Sequence, residues 1–348
     1  MNKDFSLKLI KDITSACGVS GFENEVREVI QSYMTGFGYE ESTDNADNLI
    51  YTHRGKENGK TICFAAHMDE VGFMVTDILD TGYLRFIQVG GWSTLTLPSS
   101  PVEVVTKCDK KHFGLIGQIS PHFLKKGAPL QVPQTEELFI DVGAKNREDA
   151  ITNFGISIGD FIVPYAPFSY IEKSGKVFAK GFDDRIGCAV LIEVARMLKD
   201  CDNTIIFAFT TQEEVGERGS RILATYIKPD YSIIVEGAPA DDMPSGPAHP
   251  MTEQGKGAHI RIFDPTHIGD RVLLEKLRTI AKEKAIVTQE AIRTGGGTDA
   301  VTLFASEGGS RAIVTGVPTR FAHSHISSID LFDYKEEVKL LFNACFII

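Results

Sequence analysis

Phe5, Leu9, Ile13 and Ala16 recur at helical spacing, and Val26, Val29, Ile30, Tyr33 and Met34 repeat the pattern, so the chain is expected to begin with two amphipathic helices. Gly18-Val19-Ser20-Gly21 between them reads as a turn, with Ser20 near the cap of the second helix. Thr61-Ile62-Cys63-Phe64-Ala65-Ala66 is a short unbroken apolar run, the pattern of a strand buried on both faces, and it ends at His67-Met68-Asp69-Glu70. From about residue 71 to 170, runs such as Val102-Glu103-Val104-Val105 and Leu138-Phe139-Ile140-Asp141-Val142 alternate with Gly- and Pro-containing turns, as in a compact all-β insertion. After Lys180-Gly181 the alternation of helix and strand returns. Helices are expected over 184–199 and 270–284, strands over 203–211, 231–236 and 311–315, and a closing amphipathic helix over 331–345.

The outer segments, 1–70 and 171–348, therefore read as one discontinuous α/β domain, and 71–170 as a β-rich domain inserted into it. A length of 348 residues accommodates both. A net charge of −11 disfavours nucleic acid and anionic membrane as partners, because both are bound through a cationic footprint. Cys17, Cys63, Cys108, Cys188, Cys201 and Cys345 lack CxxC spacing and several lie in apolar runs, which reads as thiols kept reduced. Met1-Asn2-Lys3-Asp4 leads into an amphipathic stretch instead of a signal-peptide core, and no apolar run approaches the roughly 20 residues of a membrane span, so the cytoplasm is the expected compartment.

Four segments end an apolar run or turn in residues suited to metals: His67-x-Asp69, Asp183-Asp184, Glu213-Glu214 and Glu236. In open α/β sheets the ends of parallel strands converge on one crevice, so side chains distant in sequence can meet there. A mixed imidazole and carboxylate set suits Zn²⁺, Co²⁺ or Mn²⁺ better than Ca²⁺ or Mg²⁺. His67 is the natural first ligand, and Asp69, two positions on, is placed to accept the second imidazole N–H. Glu213 and Glu214 cannot face one site from a regular strand, but the turn that Gly216 permits would let one bind metal while the other reaches a water.

Each element has a plainer reading alone: a satisfied structural histidine, an Asp-Asp helix cap, a solvated Glu pair. Their combination at strand ends, with a fifth candidate near the C-terminus, favours a metal site. That fifth candidate is His323 or His325, and spacing does not choose between them. Gly295-Gly296-Gly297-Thr298-Asp299 lacks the Lys-Ser/Thr ending of a phosphate loop and reads as a substrate-facing backbone loop or a flexible turn.

Taken in order, Ala66-His67-Met68-Asp69-Glu70, Gly181-Phe182-Asp183-Asp184-Arg185-Ile186-Gly187, Gln212-Glu213-Glu214-Val215-Gly216, Gly295-Gly296-Gly297-Thr298-Asp299 and Arg320-Phe321-Ala322-His323-Ser324 resemble the motifs of the M42 metallopeptidases, across essentially the whole chain. The resemblance implies an α/β/α zinc-peptidase-like sandwich carrying a small inserted β-barrel, and two divalent ions, Zn or Co with Mn as a further candidate. It implies that His67, Asp183 and Glu236 hold one ion and Asp183, Glu214 and His323 the other, choosing His323 over His325. Glu213 matches the general base, Asp69 supports the imidazole, and the Asp183–Asp184 peptide is expected to be cis. Two departures stand out: Glu236, where many relatives carry Asp, and Phe321, where Tyr is common.

The implied activity is aminopeptidase cleavage of short peptides by a homo-oligomer, a dodecamer in many members. One branch favours acidic N-terminal residues, for which Arg293 and Lys256 are the candidate cations. The alternatives are a related metal-dependent deacylase or carboxypeptidase, and a catalytically silent, metal-stabilised assembly protein. A glycosidase built on Glu213 and Glu214 is disfavoured, since adjacent carboxylates rarely flank a sugar bond at the needed separation.

Overall fold

The apolar run at Thr61 becomes strand Thr61–His67, in the middle of a nine-stranded sheet. This computed structural model describes residues 2–123 and 132–347. The chain divides into two units: Met1–Glu70 with Phe168–Ala322 and Ile326–Ile348, and Val71–Pro167 with His323–His325.

In the first unit the sheet runs Glu40–Thr43, Leu49–His53, Thr204–Thr210, Thr61–His67, Tyr231–Glu236, Arg311–Gly316, Ala258–Asp264 and His267–Ile268, with Thr288–Ile292 joined to Ala258–Asp264. The four strands from Thr204–Thr210 to Arg311–Gly316 are mutually parallel. Their side chains alternate between two cores, as the two-residue period of a strand requires. Ile62, Phe64, Ile205, Phe207, Phe209, Ile233, Val235 and Ile313 enter one core, shared with helices Lys3–Ser15, Asn24–Met34, Phe182–Met197, Arg271–Glu283 and Leu331–Ile347. Cys63, Ala65, Ile206, Ala208, Ile234, Ala312 and Val314 face the other, with the short helices Arg218–Leu223 and Ala300–Leu303. The α/β/α sandwich is thus asymmetric: bulkier residues meet the long helices on one face, and a set richer in small residues meets the two short helices on the other. A separate three-stranded sheet joins Ser169–Ile171, Lys176–Ala179 and Ser327–Asp330.

In the second unit a closed barrel runs Gly72–Ile78, Leu84–Val89, Phe139–Asp141, Lys111–Gly117, Pro101–Val105 and Phe161–Pro164. Its core includes Phe73, Val75, Leu84, Val102, Val104, Ile116, Ile140 and Ile162, the inward members of alternating strands. The insertion is not purely β: Asn146, whose side chain accepts the Asp149 N–H, caps a helix over Arg147–Thr152.

Two local expectations differ from the structure. The second helix starts at Asn24 with Glu23 as its cap position, and Ser20 does not cap it; the Ser20 hydroxyl donates to Asp69 Oδ2 at 2.6 Å instead. The edge hairpin Glu40–Thr43 and Leu49–His53 escaped the sequence pattern because Glu40-Glu41-Ser42-Thr43 is exposed throughout and carries no apolar alternation. Among the described residues no helix is long and apolar enough to cross a membrane.

Candidate metal centre

Strand register brings the candidate residues of the first unit together. Thr210 pairs with His67, so strands Thr61–His67 and Thr204–Thr210 end level, and Glu236 is the last residue of the parallel neighbour on the other side. Odd-numbered Cys63 and Ala65 and even-numbered Ile234 face the same core, and the same alternation carries His67 and Glu236 to that face. Asp183 comes from the opposite layer. It and Asp184 have non-helical backbone angles at the start of Phe182–Met197, and the peptide between them is cis, as the resemblance implied.

His67 is 2% exposed. Its Nδ1 lies 3.1 Å from the Asp69 backbone carbonyl and 3.4 Å from Asp69 Oδ1. A carbonyl can only accept, so Nδ1 carries the proton, and the imidazole is fixed by the Asp69 main chain as much as by its carboxylate. Nε2 then faces Asp183 Oδ1 at 3.3 Å and Glu236 Oε2 at 3.9 Å. One ligand atom from each of His67, Asp183 and Glu236 can be chosen so that all lie within 4.8 Å of one another. Ligands of a tetrahedral zinc ion sit about 3.3 Å apart, given bonds of roughly 2.0–2.1 Å. Glu236 Oε1 is buried with no hydrogen-bond partner, an arrangement costly for a carboxylate unless a cation answers it. The donor set and this orphaned oxygen fit a divalent metal.

The electrostatics agree. Burial raises the proton affinity of Glu213, Glu236 and Asp184 well above the ordinary carboxylate range, and neighbouring carboxylates add to it. Burial opposes a charged His67, but Asp183 and Asp69 outweigh it and hold the imidazole well above its usual value. A shared proton and a divalent cation are alternative answers to the same crowd of negative charge.

Glu213 and Glu214 occupy a short 3-10 turn, Glu213–Val215, between left-handed Gln212 and Gly216. The Asp69 carboxylate accepts the Glu213 N–H on Oδ1 at 3.0 Å and the Glu214 N–H on Oδ2 at 3.1 Å. Burial would raise the Asp69 carboxyl, yet His67, Ser20 and these N–H donors hold it below its ordinary value. Glu213 Oε2 is 3.9 Å from His67 Nε2.

His323 belongs to the second unit, where its Nδ1–H donates to the Gly91 carbonyl at 2.8 Å. His325 is a packing residue: its ring lies 5.2 Å from Trp92 and 6.5 Å from Phe73, neither ring nitrogen has a hydrogen-bond partner, and burial pushes its pKa down to about 4. Of the two candidate cations, Lys256 is exposed, and Arg293 is engaged by Asp241 at 3.2 Å and by the Pro239 carbonyl. In the glycine loop, a Cβ at Gly295 or Gly296 would meet open space, while Asp299 accepts hydroxyl hydrogens from Thr210 at 2.6 Å and Ser220 at 2.5 Å. The aspartate of that motif therefore fixes the end of strand Thr204–Thr210.

Sequence reasoning missed the support beneath the site. Arg185 is fully buried, and its guanidinium donates to the carbonyls of Ile13, Ala16, Gly18 and Met68 and to Glu70. Lys180 shares Glu70 and Ala16. Glu23 accepts the N–H groups of Gly21 and Gln212, and burial beside Asp69 pushes its pKa up to about 7. A lone arginine immediately before the apolar run 186–192 was the available signal for this network.

A family profile described as M42 glutamyl aminopeptidase matches residues 47–340. The chain belongs to the M42 peptidase family. It is 32% identical to the glutamyl aminopeptidase of Lactococcus lactis subsp. cremoris, over 93% of this chain and 91% of the relative. Among solved structures it is similar to the TET aminopeptidase of a marine-sediment Thaumarchaeota archaeon, with a TM-score of 0.94 and 35% identity over 98% and 96% of the two chains. The Pyrococcus horikoshii TET1 peptidase, which can assemble into a tetrahedron or a large octahedral shell, gives a TM-score of 0.87 and 33% identity over 99% and 100%. The chain is accordingly a peptide-bond hydrolase of the aminopeptidase kind, with the α/β/α-plus-barrel architecture of those structures.

Proposed function

We propose that this M42 member is a two-ion aminopeptidase that removes N-terminal residues from short peptides, with Glu213 as the proton-transfer group. The observation that carries the reading is the position of Glu213. Its main chain is held by Asp69 and its carboxylate reaches the cluster, 3.9 Å from His67 Nε2, without belonging to the His67, Asp183 and Glu236 set. In this reading those three residues hold one ion, and, as the resemblance to the M42 motifs implies, Asp183, Glu214 and His323 hold the other, with Asp183 shared. Zn²⁺ and Co²⁺ suit the donors best, with Mn²⁺ next.

The ions, when bound, lower the pKa of a water and polarise the scissile carbonyl. Glu213 accepts the water's proton and returns it to the leaving amine, a task suited to a carboxylate whose proton affinity burial has raised. Asp69 keeps Glu213 and Glu214 in one turn, so that one carboxylate serves proton transfer while its neighbour binds metal. A preference for N-terminal Glu or Asp is the finer part of the reading. It requires Arg293 to exchange Asp241 for the substrate carboxylate, and comparing Glu-, Asp-, Lys- and Leu-initiated peptides tests it.

We assign a homo-oligomer, a dodecamer, assembled through the second unit, which exposes Ile87, Phe113, Leu115, Ile119 and Phe123, and we assign the cytoplasm as its compartment. The decisive experiment is mass-spectrometric analysis of unblocked and N-acetylated peptides after incubation with metal-loaded wild type and Glu213→Gln. Stepwise loss from the N-terminus of unblocked peptides alone, abolished in the variant with metal content retained, is the expected result. Release from the C-terminus or from the acetyl group would move the assignment to a carboxypeptidase or deacylase, and no release to a silent assembly protein.

A further inference from the structure

Side chains hold the turn that carries Glu213 and Glu214. Four successive peptide N–H groups there each donate to a side-chain oxygen: Thr211 to Asn48 Oδ1 at 3.0 Å, Gln212 to Glu23 Oε1 at 3.1 Å, Glu213 to Asp69 Oδ1 at 3.0 Å and Glu214 to Asp69 Oδ2 at 3.1 Å. The acceptors are all buried and come from three separate segments of the first unit. Gln212 is the unusual member of the run. Its φ of 55° and ψ of 35° lie in the left-handed region that side-chain-bearing residues seldom occupy. Its acceptor, Glu23, stands at the cap position of helix Asn24–Met34, and the same Oε1 takes the Gly21 N–H at 2.8 Å. One oxygen therefore ties the turn before that helix to the turn that follows strand Thr204–Thr210.

We propose that Glu23 is a positioning residue for the reaction: by accepting the Gln212 N–H it keeps Gln212 in its left-handed form and so aims the neighbouring Glu213 carboxylate. The inference rests on the reading of Glu213 as the proton-transfer group. Asp69 fixes the Glu213 N–H, but the direction in which the chain enters that peptide is set by the backbone angles of Gln212. Released from its acceptor, Gln212 gains by returning to commoner angles, and Glu213 then moves with it. A misplacement of about 1 Å at a reacting group can cost roughly 10²-fold in rate. Glu23 is well placed to resist such a movement, because Val26, Ile30 and Met34 anchor its helix in the main core. Since one oxygen accepts both N–H groups, the role needs the reach of the side chain and an acceptor at its end, and does not need a charge. A glutamine supplies both requirements. An aspartate, one methylene shorter, keeps the charge and lacks the reach.

The test compares Glu23→Gln, Glu23→Asp and Glu23→Leu in the full chain by two readouts: hydrogen–deuterium exchange of the metal-free protein, and kcat and KM for an unblocked peptide at saturating Co²⁺. Glu23→Asp and Glu23→Leu should speed exchange in the segment containing Gln212 and Glu213 and lower kcat by about 10-fold or more, with KM little changed. Glu23→Gln should keep both properties close to wild type. The aspartate variant is the milder change, so the idea does not depend on a leucine variant that fails to fold. In a Glu213→Gln background, where the base is already gone, Glu23→Leu should slow the residual turnover no further. Unchanged exchange and kcat in the Asp and Leu variants would overturn the proposal. So would a Gln variant as impaired as the Asp variant, which would make charge the operative property, or exchange that quickens throughout the first unit, which would mean general loosening. A Glu213→Gln enzyme with wild-type kcat would instead defeat the reading of Glu213, and the exchange data would still show whether Glu23 holds the turn.

Discussion

Asp69 Oδ1 accepts the backbone N–H of Glu213 at 3.0 Å, joining the end of one central strand to the turn that follows another. Its second oxygen serves both the Glu214 N–H and the Ser20 hydroxyl. All three are donors, so the site needs an acceptor on each oxygen. Asp69→Asn keeps the shape but points an NH2 at one donor, leaving a buried mismatch that costs about 1–3 kcal/mol. The expected outcome is a lower melting temperature together with a fall in kcat, because the Glu213 carboxylate loses its fixed base. An Asn variant with wild-type kcat and Tm would show that the turn holds itself.

Arg185 is the structural counterpart of that bond. Its donors satisfy four main-chain carbonyls in the segments at residues 13–18 and at Met68, and with Lys180 it neutralises Glu70. Arg185→Met fills similar volume but strands a buried carboxylate and several carbonyls. Breaking a buried charge pair in this way costs about 3–5 kcal/mol, so the variant should unfold at markedly lower denaturant concentration than wild type in an equilibrium titration.

Chelation should act on stability as well as on activity. The carboxylates of Asp183, Glu213 and Glu236 crowd one imidazole, and a ligand that binds only the folded state stabilises it in proportion to the logarithm of its concentration over Kd. Removal of metal is expected to abolish peptide hydrolysis and lower Tm, with both restored by Zn²⁺ or Co²⁺. A Tm indifferent to chelator, measured by calorimetry across a metal titration, would argue against a resident ion.

Much of this was legible because strand burial leaves a plain mark. Thr61–His67, Thr204–Thr210 and Tyr231–Glu236 are nearly unbroken apolar runs, and each is followed or ended by a polar group that the register then gathers. The supports were harder to read. That Asp69 serves the N–H groups of Glu213 and Glu214, over 144 and 145 residues of separation, depends on two strands ending level, which no local pattern records. Ser20 looked like a helix cap for a related reason: a hydroxyl near a helix start usually finds a local N–H, and here a distant carboxylate competes successfully for it. Edge strands such as Glu40–Thr43 carry no apolar signal because both their faces meet water.

Glu337 offers a pH test outside the His67, Asp183 and Glu236 cluster. It lies on the closing helix, fully buried, with Oε1 accepting the Thr315 hydroxyl hydrogen at 2.5 Å and Oε2 without a partner. Burial pushes its pKa from 4.5 up to about 8, a rise that the Thr315 and Gly316 donors only partly offset. The folded state therefore holds this proton more tightly than the unfolded chain does. Its contribution is complete below about pH 4.5 and is lost progressively as pH rises to about 8, with a slope near 1.4 kcal/mol per pH unit for one such group. Glu337→Gln stays neutral throughout and escapes that slope. The difference in Tm, variant minus wild type, should consequently increase between pH 5 and pH 8, whatever its value at the acid end, and a difference that stays constant over this range would mean that Glu337 titrates normally in the folded protein.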